Sequence, residues 1–239
     1  MLSRNFRLQT VGNYQWLLQN YNFVNLSKCL DELVILDVSR NDSNPSLFCE
    51  ILKDLSGKCF IPIAAGGLIR SINDAKLLFA NGADKLILNT PIFTDKALIK
   101  QLASIFGRQS LVASIDVLSQ QGTSVIKYSH ASSQSDLSFQ SLELLDLLSN
   151  YFGELYLNSI AFDGTGQGYE LTLLDILPPN FSLPVILSGG AGKASHFVDA
   201  LTDSRVQAVS TAHLFNFMGS TLCAARATLK GSNIPLPDW

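Results

Sequence analysis

Asp116 is the residue in this sequence whose type and position best suit proton transfer. It lies at the end of Leu111–Val117, an apolar segment with the composition of a buried strand. A carboxylate in a half-buried mouth is suited to acid or base catalysis, because desolvation raises its pKa toward neutrality. The alternative is a structural ion pair with no catalytic role. We predict that Asp116 is catalytic.

Other catalytic and metal-binding constellations are not evident in the sequence. It shows neither a Cys/His nor a Ser/His/Asp arrangement, and His130, His196 and His213 are too dispersed to form a metal site. We interpret His196 as a helix-surface residue. We therefore predict neither a metal nor a cofactor.

Three polar or glycine-rich segments follow other apolar segments and could bind phosphate. Residues 188–192, Ser-Gly-Gly-Ala-Gly, precede a predicted helix, and glycine lets backbone N–H groups approach an anion closely. Asn89 and Thr90 have side chains that can donate to a phosphate. The glycines of residues 163–168 could wrap a phosphate, with Asp163 accepting from a sugar hydroxyl. The respective alternatives are a tight turn, a helix cap and a mobile loop.

Three charged residues, Glu32, Lys85 and Glu154, each open an apolar segment and mark the opposite ends of the predicted strands. Isolated charges at such a rim are normally solvated and uninformative. Charges of mixed sign at three strand starts could instead form a ring across the bottom of a barrel. Asp37 and Ser188 end their segments and belong at the mouth.

Short apolar segments rich in Val, Ile and Leu alternate with segments of helical spacing. Apolar residues on both faces are typical of buried parallel strands, so the alternation predicts an α/β domain with a parallel sheet. The segments with helical spacing are 71–81, 95–106, 137–148 and 197–201. We count seven strands, which are 33–38, 60–65, 85–89, 111–117, 154–159, 183–188 and 206–211.

An internal repeat favours a barrel over an open sheet. Shifting the chain by 122 residues aligns its two halves without a gap over about sixty residues, with Glu32 on Glu154 and Gly67 on Gly189. Two copies of four βα units build a (β/α)8 TIM barrel, whose reactive groups lie at the carboxyl ends of the strands. We predict this fold, with a two-fold half-barrel repeat.

The predicted domain organisation is a single barrel over residues 1–239, with half-barrels at about 1–110 and 111–239. The repeat partner of Asp116 would fall before Met1, so we expect the first barrel strand to be missing from this chain. A gap would then separate two strand edges. Either the fold is marginally stable or residues 2–8 fold across the seam.

The composition is that of a globular protein and excludes several classes. The chain has 239 residues, 47% hydrophobic and 15% charged, with a net charge of −3 and a pI near 5.5. This acidic balance argues against nucleic-acid binding. No apolar run reaches the roughly 18 residues of a membrane span, and the start lacks a signal-peptide core. Four cysteines without a CxxC spacing indicate reduced thiols in a cytoplasmic protein.

Five segments carry a resemblance to a known family, and they are residues 31–37, 82–90, 114–116, 163–165 and 188–192. They resemble the cyclase subunit of imidazole glycerol phosphate synthase, a half-barrel-repeat (β/α)8 protein of histidine biosynthesis. The resemblance covers nearly the whole chain. It implies a lyase-type enzyme that receives ammonia from a glutaminase partner docked on the barrel bottom as a heterodimer. Ammonia crosses the barrel to a bisphosphorylated ribosyl-aminoimidazole, giving imidazole glycerol phosphate and an aminoimidazole carboxamide ribotide.

The resemblance implies roles for particular residues. Asp116 matches one of the family's two catalytic aspartates, and Asp84 matches a residue facing the glutaminase. Three residues match the gate of the ammonia passage, namely Glu32, Lys85 and Glu154. The residues that match the two phosphate sites are Asn89 and Thr90 for one, and Asp163, Gly164, Gly190 and Ala212, with the adjacent Gly189, for the other.

Several positions depart from the family pattern. The second catalytic aspartate and the fourth gate residue, an arginine, would belong to the missing strand, and a flexible-loop lysine has no equivalent. Leu68 replaces a glycine that touches phosphate, and His213 replaces a serine. Residues 3–8 and 13–28 look more like a divergent branch found beside surface-polysaccharide genes, whose members are thought to supply ammonia for amidination of a sugar. That branch, and a non-catalytic scaffold that activates the glutaminase, are the alternatives.

Overall fold

The computed structural model describes residues 2–21, 23–40, 43–120, 123–212 and 221–237. Its strands are β1 (Leu2–Arg4), β2 (Arg7–Gln9), β3 (Leu33–Leu36), β4 (Ile63–Gly66), β5 (Lys85–Leu88), β6 (Leu111–Gln120), β7 (Thr123–Tyr128), β8 (Ser133–Gln134), β9 (Glu154–Ser159), β10 (Val185–Ser188) and β11 (Ala208–Ser210). Seven of them form a parallel sheet in the order β11-β10-β9-β6-β5-β4-β3. The other four form antiparallel pairs, β1 with β2, and β7 with β6 and β8.

Helices connect the parallel strands and cover the outside of the sheet. The helices in the described residues are α1 (Tyr14–Asn20), α2 (Phe23–Leu26), α3 (Pro45–Ser56), α4 (Ile72–Ala80), α5 (Thr90–Thr94), α6 (Lys96–Phe106), α7 (Leu142–Tyr151), α8 (Ala194–Leu201) and α9 (Thr221–Gly231). Two short 3-10 segments lie at Arg108–Ser110 and Leu171–Ile176. This alternation gives each parallel strand a helical cover and makes the protein an α/β fold.

All seven strands expected from the apolar segments are confirmed, and so is their parallel pairing. The helix expected at 71–81 is confirmed as α4, where the Ser71 hydroxyl accepts from the Asp74 N–H at its amino end. The helix expected at 137–148 begins later, at Leu142. The two antiparallel hairpins were not predicted, because β1, β2 and β8 are only two or three residues long. Five helices were not predicted either, namely α1, α2, α3, α5 and α9.

The two faces of the sheet have different surroundings. Along β9, Leu155 and Leu157 point to the helices and are fully buried. Glu154, Tyr156 and Asn158 alternate with them and therefore point to the opposite face, which we call the inner face. A small apolar cluster, separate from the main core, lies on this face and comprises Ala64, Ile87 and Val112, with Val34 and Tyr156 packed against it.

The curled parallel sheet with outer helices fits a TIM barrel. In the described part of the chain, the sheet order ends at β3 on one side and at β11 on the other. Besides the pairing of β1 with β2, Ser3, Asn5 and Phe6 donate hydrogen bonds to the loop after β9, at residues 160–163. The amino-terminal hairpin therefore lies over the carboxyl ends of the strands.

The prediction that all four cysteines are reduced thiols is wrong for one pair. Cys29 and Cys223 form a disulfide, with their Cα atoms 5.0 Å apart, while Cys49 and Cys59 are free. The Arg226 guanidinium, on the same helix as Cys223, also contacts the Asp31 carboxylate at 2.8 Å. Spacing along the chain could not reveal this pair, because 194 residues separate the two cysteines.

None of the helices in the described ranges is long and apolar enough to span a membrane.

Candidate active site

Asp116 lies on the inner face near the carboxyl end of the sheet and is 8% exposed. Two side-chain amides hold its carboxylate. Asn89 Nδ2 donates to Oδ2 at 3.1 Å, and Asn158 Nδ2 donates to Oδ1 at 3.1 Å. These amides come from the strands on either side of β6, because Asn89 directly follows β5 and Asn158 pairs with Asp116 in the β6–β9 register.

Burial raises the pKa of Asp116 to about 7. The other contributions to this pKa are smaller than desolvation. The amides of Asn158 and Asn89 stabilise the carboxylate and lower its pKa, whereas the negative charge of Asp163 raises the pKa. A carboxyl group with a pKa near neutrality can both give and take a proton at physiological pH. The electrostatics therefore agree with the predicted acid or base role, which remains a prediction.

Asn89 occupies the N-cap position of α5, yet its side chain makes no capping hydrogen bond. Its amide instead donates to the Ser114 carbonyl oxygen at 2.9 Å as well as to Asp116, and its Oδ1 accepts from the Ser129 N–H at 3.3 Å. The side chain is therefore used to position Asp116 and the β7–β8 turn, and not as a helix cap. The adjacent Thr90 begins α5.

Asp163 is close enough to Asp116 to raise the pKa of Asp116. The carboxylate of Asp163 is itself covered by the amino-terminal hairpin. The Ser3 hydroxyl and the Phe6 N–H both donate to Asp163 Oδ2, and the Asn5 N–H donates to the Asp163 carbonyl oxygen at 3.0 Å. The hairpin also packs directly on Gly164, where an added Cβ would lie 2.0 Å from the Ser3 carbonyl oxygen. Asp163 and Gly164 were predicted to bind substrate, and in this conformation groups of the hairpin occupy both positions.

The glycine-rich segment after β10 makes close contacts with the loop after β9. Gly189 and Gly190 have φ values of 93° and 105°, and a Cβ at Gly190 would lie 2.0 Å from the Gly168 carbonyl oxygen. The Gly192 N–H donates to His196 Nδ1 at 3.1 Å. These contacts favour a tight turn as the reason for the glycines, and one candidate phosphate donor is already bonded.

His196 is buried, with 9% exposure, so its interpretation as a helix-surface residue is wrong. It lies in the first turn of α8, where the side chain folds back onto the glycine segment. Apolar periodicity could not show this, because the partner is a backbone N–H in a turn.

The loop after β4 approaches Asp37 closely. A Cβ at Gly67 would lie 2.1 Å from the Asp37 carbonyl oxygen, and the Asp37 carboxylate accepts from the Ser39 N–H at 2.9 Å. Leu68 adopts a φ of 56°, in the left-handed region that glycine favours. The backbone thus keeps a glycine-like conformation at Leu68, although a side chain is present.

Glu32, Lys85 and Glu154 meet at the amino end of the sheet. Lys85 Nζ lies 2.7 Å from Glu32 Oε2 and 2.8 Å from Glu154 Oε1, and each side chain is 21–24% exposed. Burial raises the pKa of Glu32 despite the Lys85 contact. Burial also lowers the pKa of Lys85, but its hydrogen bonds to Glu154 and Glu32 raise it above the usual value overall. The three charges predicted to form a ring are therefore in contact, and we call them the charged ring.

Two other predicted residues, Asp84 and Ala212, lie at opposite ends of the sheet. Asp84 is exposed at the same end of the sheet as the charged ring, and its carboxylate accepts from the Ile63 N–H at 2.8 Å. Ala212 follows β11 at the opposite end and is exposed. His213, the departure expected in the second phosphate site, lies outside the described residues.

Two residues of the inner face, Tyr156 and Asn158, were not predicted to belong to the site. Asn158 is the second amide on Asp116, and the Tyr156 hydroxyl contacts Ser188 Oγ and Ser210 Oγ. Their position on the same strand as Glu154, at alternate residues, was the available signal. The polar type of these side chains on an inner face distinguishes them from ordinary core residues.

The fold and the site define an α/β protein of TIM-barrel type, with a titratable carboxylate at the end of the sheet where such barrels bind their substrates. The family model described as "Histidine biosynthesis protein" matches residues 13–220, and the chain belongs to this family. A relative from Parasynechococcus marenigrum (strain WH8102), provisionally named imidazole glycerol phosphate synthase subunit hisF2, is 42% identical over 240 residues, covering 100% of this chain and 88% of the relative.

Other relatives carry the name of the same synthase. Imidazole glycerol phosphate synthase subunit HisF of Staphylococcus carnosus (strain TM300) is 31% identical over 232 residues, or 95% of this chain and 88% of that protein. HisF of Chlorobium phaeovibrioides (strain DSM 265 / 1930) is 34% identical over 220 residues, or 91% of this chain and 86% of that protein. The resemblance to the cyclase subunit of this synthase is therefore confirmed at the level of the family.

Proposed function

We propose that this protein is the ammonia-accepting, cyclase-type subunit of a glutamine amidotransferase. Its reaction would combine ammonia with a bisphosphorylated ribosyl-aminoimidazole, giving imidazole glycerol phosphate and an aminoimidazole carboxamide ribotide. A glutaminase subunit would dock at the charged ring, where Asp84 is exposed, and supply the ammonia. The proposal includes a single barrel domain over the whole chain, with phosphate held near Asn89, Thr90 and the loop at 188–192.

One observation carries this proposal, the presence of two different charged sites at opposite ends of one inner face. Asp116, with a pKa of about 7, lies at the carboxyl end of the sheet. The charged ring lies at the amino end. Glu154 and Asn158, on one strand, connect the two sites along the same face. An enzyme that receives a small molecule at one end and protonates or deprotonates a substrate at the other needs this arrangement.

The test measures carboxamide ribotide release from the ribosyl-aminoimidazole substrate, with glutamine and a glutaminase subunit or with free ammonium. We expect release with either nitrogen source, and its loss in Asp116→Asn, because deleting a positioned acid or base costs about 10²–10⁴-fold. Absence of product from free ammonium would contradict the histidine-pathway assignment. Full activity of Asp116→Asn would show that the reaction occurs elsewhere.

The alternative acceptor is a sugar that is amidinated during surface-polysaccharide synthesis. The side chain at Leu68 and the covered Asp163 favour it, because each alters a position that would contact phosphate in the histidine-pathway enzyme. A scaffold that only activates the glutaminase is the remaining alternative. Under that alternative the protein would raise glutamine hydrolysis, whereas Asp116→Asn would leave that hydrolysis unchanged.

A further inference from the structure

The Cys29–Cys223 disulfide connects the elements beside the two edges of the parallel sheet. Within the described residues, the sheet order ends at β3 and at β11. Cys29 lies between α2 and β3, and Cys223 lies in the first turn of α9, the first described helix after β11. The bond therefore joins the flanks of both edge strands covalently.

Cys29 begins an irregular segment, residues 29–32, that leads into β3 and that we call the entry segment. Its Asp31 carboxylate accepts from Arg226 Nη1 on α9 at 2.8 Å. Its last residue, Glu32, belongs to the charged ring, with Oε2 2.7 Å from Lys85 Nζ. A covalent bond and an ion pair thus tie the entry segment to α9, and this segment carries a ring residue.

The two cysteines of the bond differ in their exposure. Cys223 is exposed, whereas Cys29 is partly buried. An attacking thiolate reaches an exposed sulfur more easily, and exposed disulfides are the labile and regulatory ones. A chain with an apolar core of this extent does not need a disulfide to fold. These observations indicate a bond that is made and broken in the folded protein.

Breaking this bond would loosen the entry segment more than α9. The helix buries Leu222, Ala225 and Leu229 and packs on α8, so its position does not depend on the disulfide. The ion pair between Arg226 and Asp31 would still connect α9 to the entry segment, but Asp31 is 49% exposed. An ion pair with one partner in solvent is a weak tie.

We propose that the Cys29–Cys223 disulfide is a redox modification site for a dithiol protein, and that its oxidised state holds Glu32 in the charged ring. A thiolate of the dithiol attacks Cys223 Sγ, the bond between the two Sγ atoms breaks, and Cys29 leaves as a thiolate that takes up a proton. The second thiolate of the dithiol then attacks its partner sulfur in the mixed disulfide and releases Cys223. Two electrons and two protons pass to the two cysteines, and the dithiol becomes a disulfide.

The consequence for a partner rests on the proposed function, because the glutaminase would dock at the charged ring. Reduction loosens the entry segment and with it Glu32, so the docking surface loses part of its fixed shape. Ordering that segment on binding then costs affinity. The oxidised protein is therefore the form that binds the glutaminase more tightly.

Trapping a mixed disulfide tests the modification site. A thioredoxin-type protein whose resolving cysteine is replaced by serine stays attached to the cysteine that it attacks. We expect mass spectrometry after digestion to find this probe on Cys223. Cys29→Ser leaves Cys223 as a free thiol and should trap nothing. A disulfide that survives excess probe, or a probe found mainly on Cys29, would overturn the site.

Hydrogen–deuterium exchange of the full chain tests the loosening. On reduction with dithiothreitol, we expect the amides of residues 29–36 to exchange several-fold faster, while residues 111–117 of β6 keep their rate. The double variant Cys29→Ser/Cys223→Ser should exchange at the reduced rate with and without dithiothreitol. Cys49→Ser is the matched control, because Cys49 is a free cysteine and its loss should leave the response intact. Unchanged exchange at residues 29–36, or equal acceleration in β6, would refute a local effect of the bond.

Calorimetric titration with a glutaminase subunit tests the consequence for docking. We expect the dissociation constant to rise several-fold on reduction, and the double variant to show the reduced value in both conditions. Equal affinities of the oxidised and reduced forms would contradict redox control of docking. If the glutaminase binds neither form, the proposed function fails, and trapping and hydrogen exchange alone decide the redox site.

Discussion

Replacing Asp116 with asparagine should change how the stability of this protein depends on pH. The pKa of the folded-state carboxyl group is about 7, against an ordinary value of 3.8. This difference of roughly three pH units corresponds to about 4 kcal/mol of differential stability between the protonated and ionised forms. Burial is the largest cause of the raised pKa. The 4 kcal/mol is therefore an upper value, which applies when the ionised carboxylate is fully desolvated.

The direction of the effect follows from which state releases the proton first. Below about pH 4 the carboxyl group is protonated in both the folded and the unfolded chain. Between there and about pH 7 the unfolded chain ionises while the folded protein stays protonated. The contribution of Asp116 to stability is therefore fully present in acid and is lost as the pH rises through 7. An asparagine side chain has no proton to release and removes this trend.

Urea unfolding followed by circular dichroism, at several pH values from about 4 to 8, measures the difference between Asp116→Asn and the wild type. We expect the stability of the variant relative to wild type to rise by about 4 kcal/mol over this range. Asp146→Asn removes an exposed carboxylate on α7 and is the matched control, with a change of within about 0.5 kcal/mol. A difference between Asp116→Asn and wild type that stays constant with pH would refute the argument from burial.

Three further predictions concern stability and access. Reducing the Cys29–Cys223 disulfide, which closes a loop with a sequence separation of 194, should lower the unfolding free energy by up to about 5 kcal/mol; equal urea midpoints with and without reductant would contradict this. Lys85→Met should cost about 2 kcal/mol because it leaves two half-buried carboxylates unpaired, and converting both carboxylates to amides as well should restore most of that loss in the same unfolding assay. Ser3→Ala removes a donor to the Asp163 carboxylate, so limited proteolysis within residues 2–9 should accelerate about tenfold; an unchanged rate would show that the hairpin is held by other contacts.

Much of the fold followed from local sequence patterns. All seven parallel strands were predicted because each lies in a short apolar segment that is followed by a polar or glycine-rich segment. The antiparallel β7, which pairs with residues 116–120 of β6, was not predicted, because only Val125 and Ile126 among its six residues are aliphatic. The half-barrel repeat and the missing first strand remain predictions.

The candidate site was predicted less completely than the fold. Glu32, Lys85 and Glu154 were identified from their positions at strand starts, and they are in contact in the structure. Asp116 was identified from its position at a strand end, and its catalytic role stays a prediction. Asp163 was expected to be open to a ligand, yet the hairpin covers it. Asn158 was given no role, because its alternation with Glu154 along β9 indicates a shared face but not the carboxylate that its amide contacts.

The sequence by itself determined the class of fold, the positions of the strands and which charged residues lie at their ends, because hydrophobic periodicity and strand ends are local properties. Only the tertiary structure decided the pKa of Asp116, which depends on burial and on two amides from neighbouring strands. Only the tertiary structure brought Ser3 onto Asp163 and Cys29 onto Cys223, across separations of 160 and 194 residues. Contacts between such distant residues depend on how the whole chain packs, and no short segment encodes them.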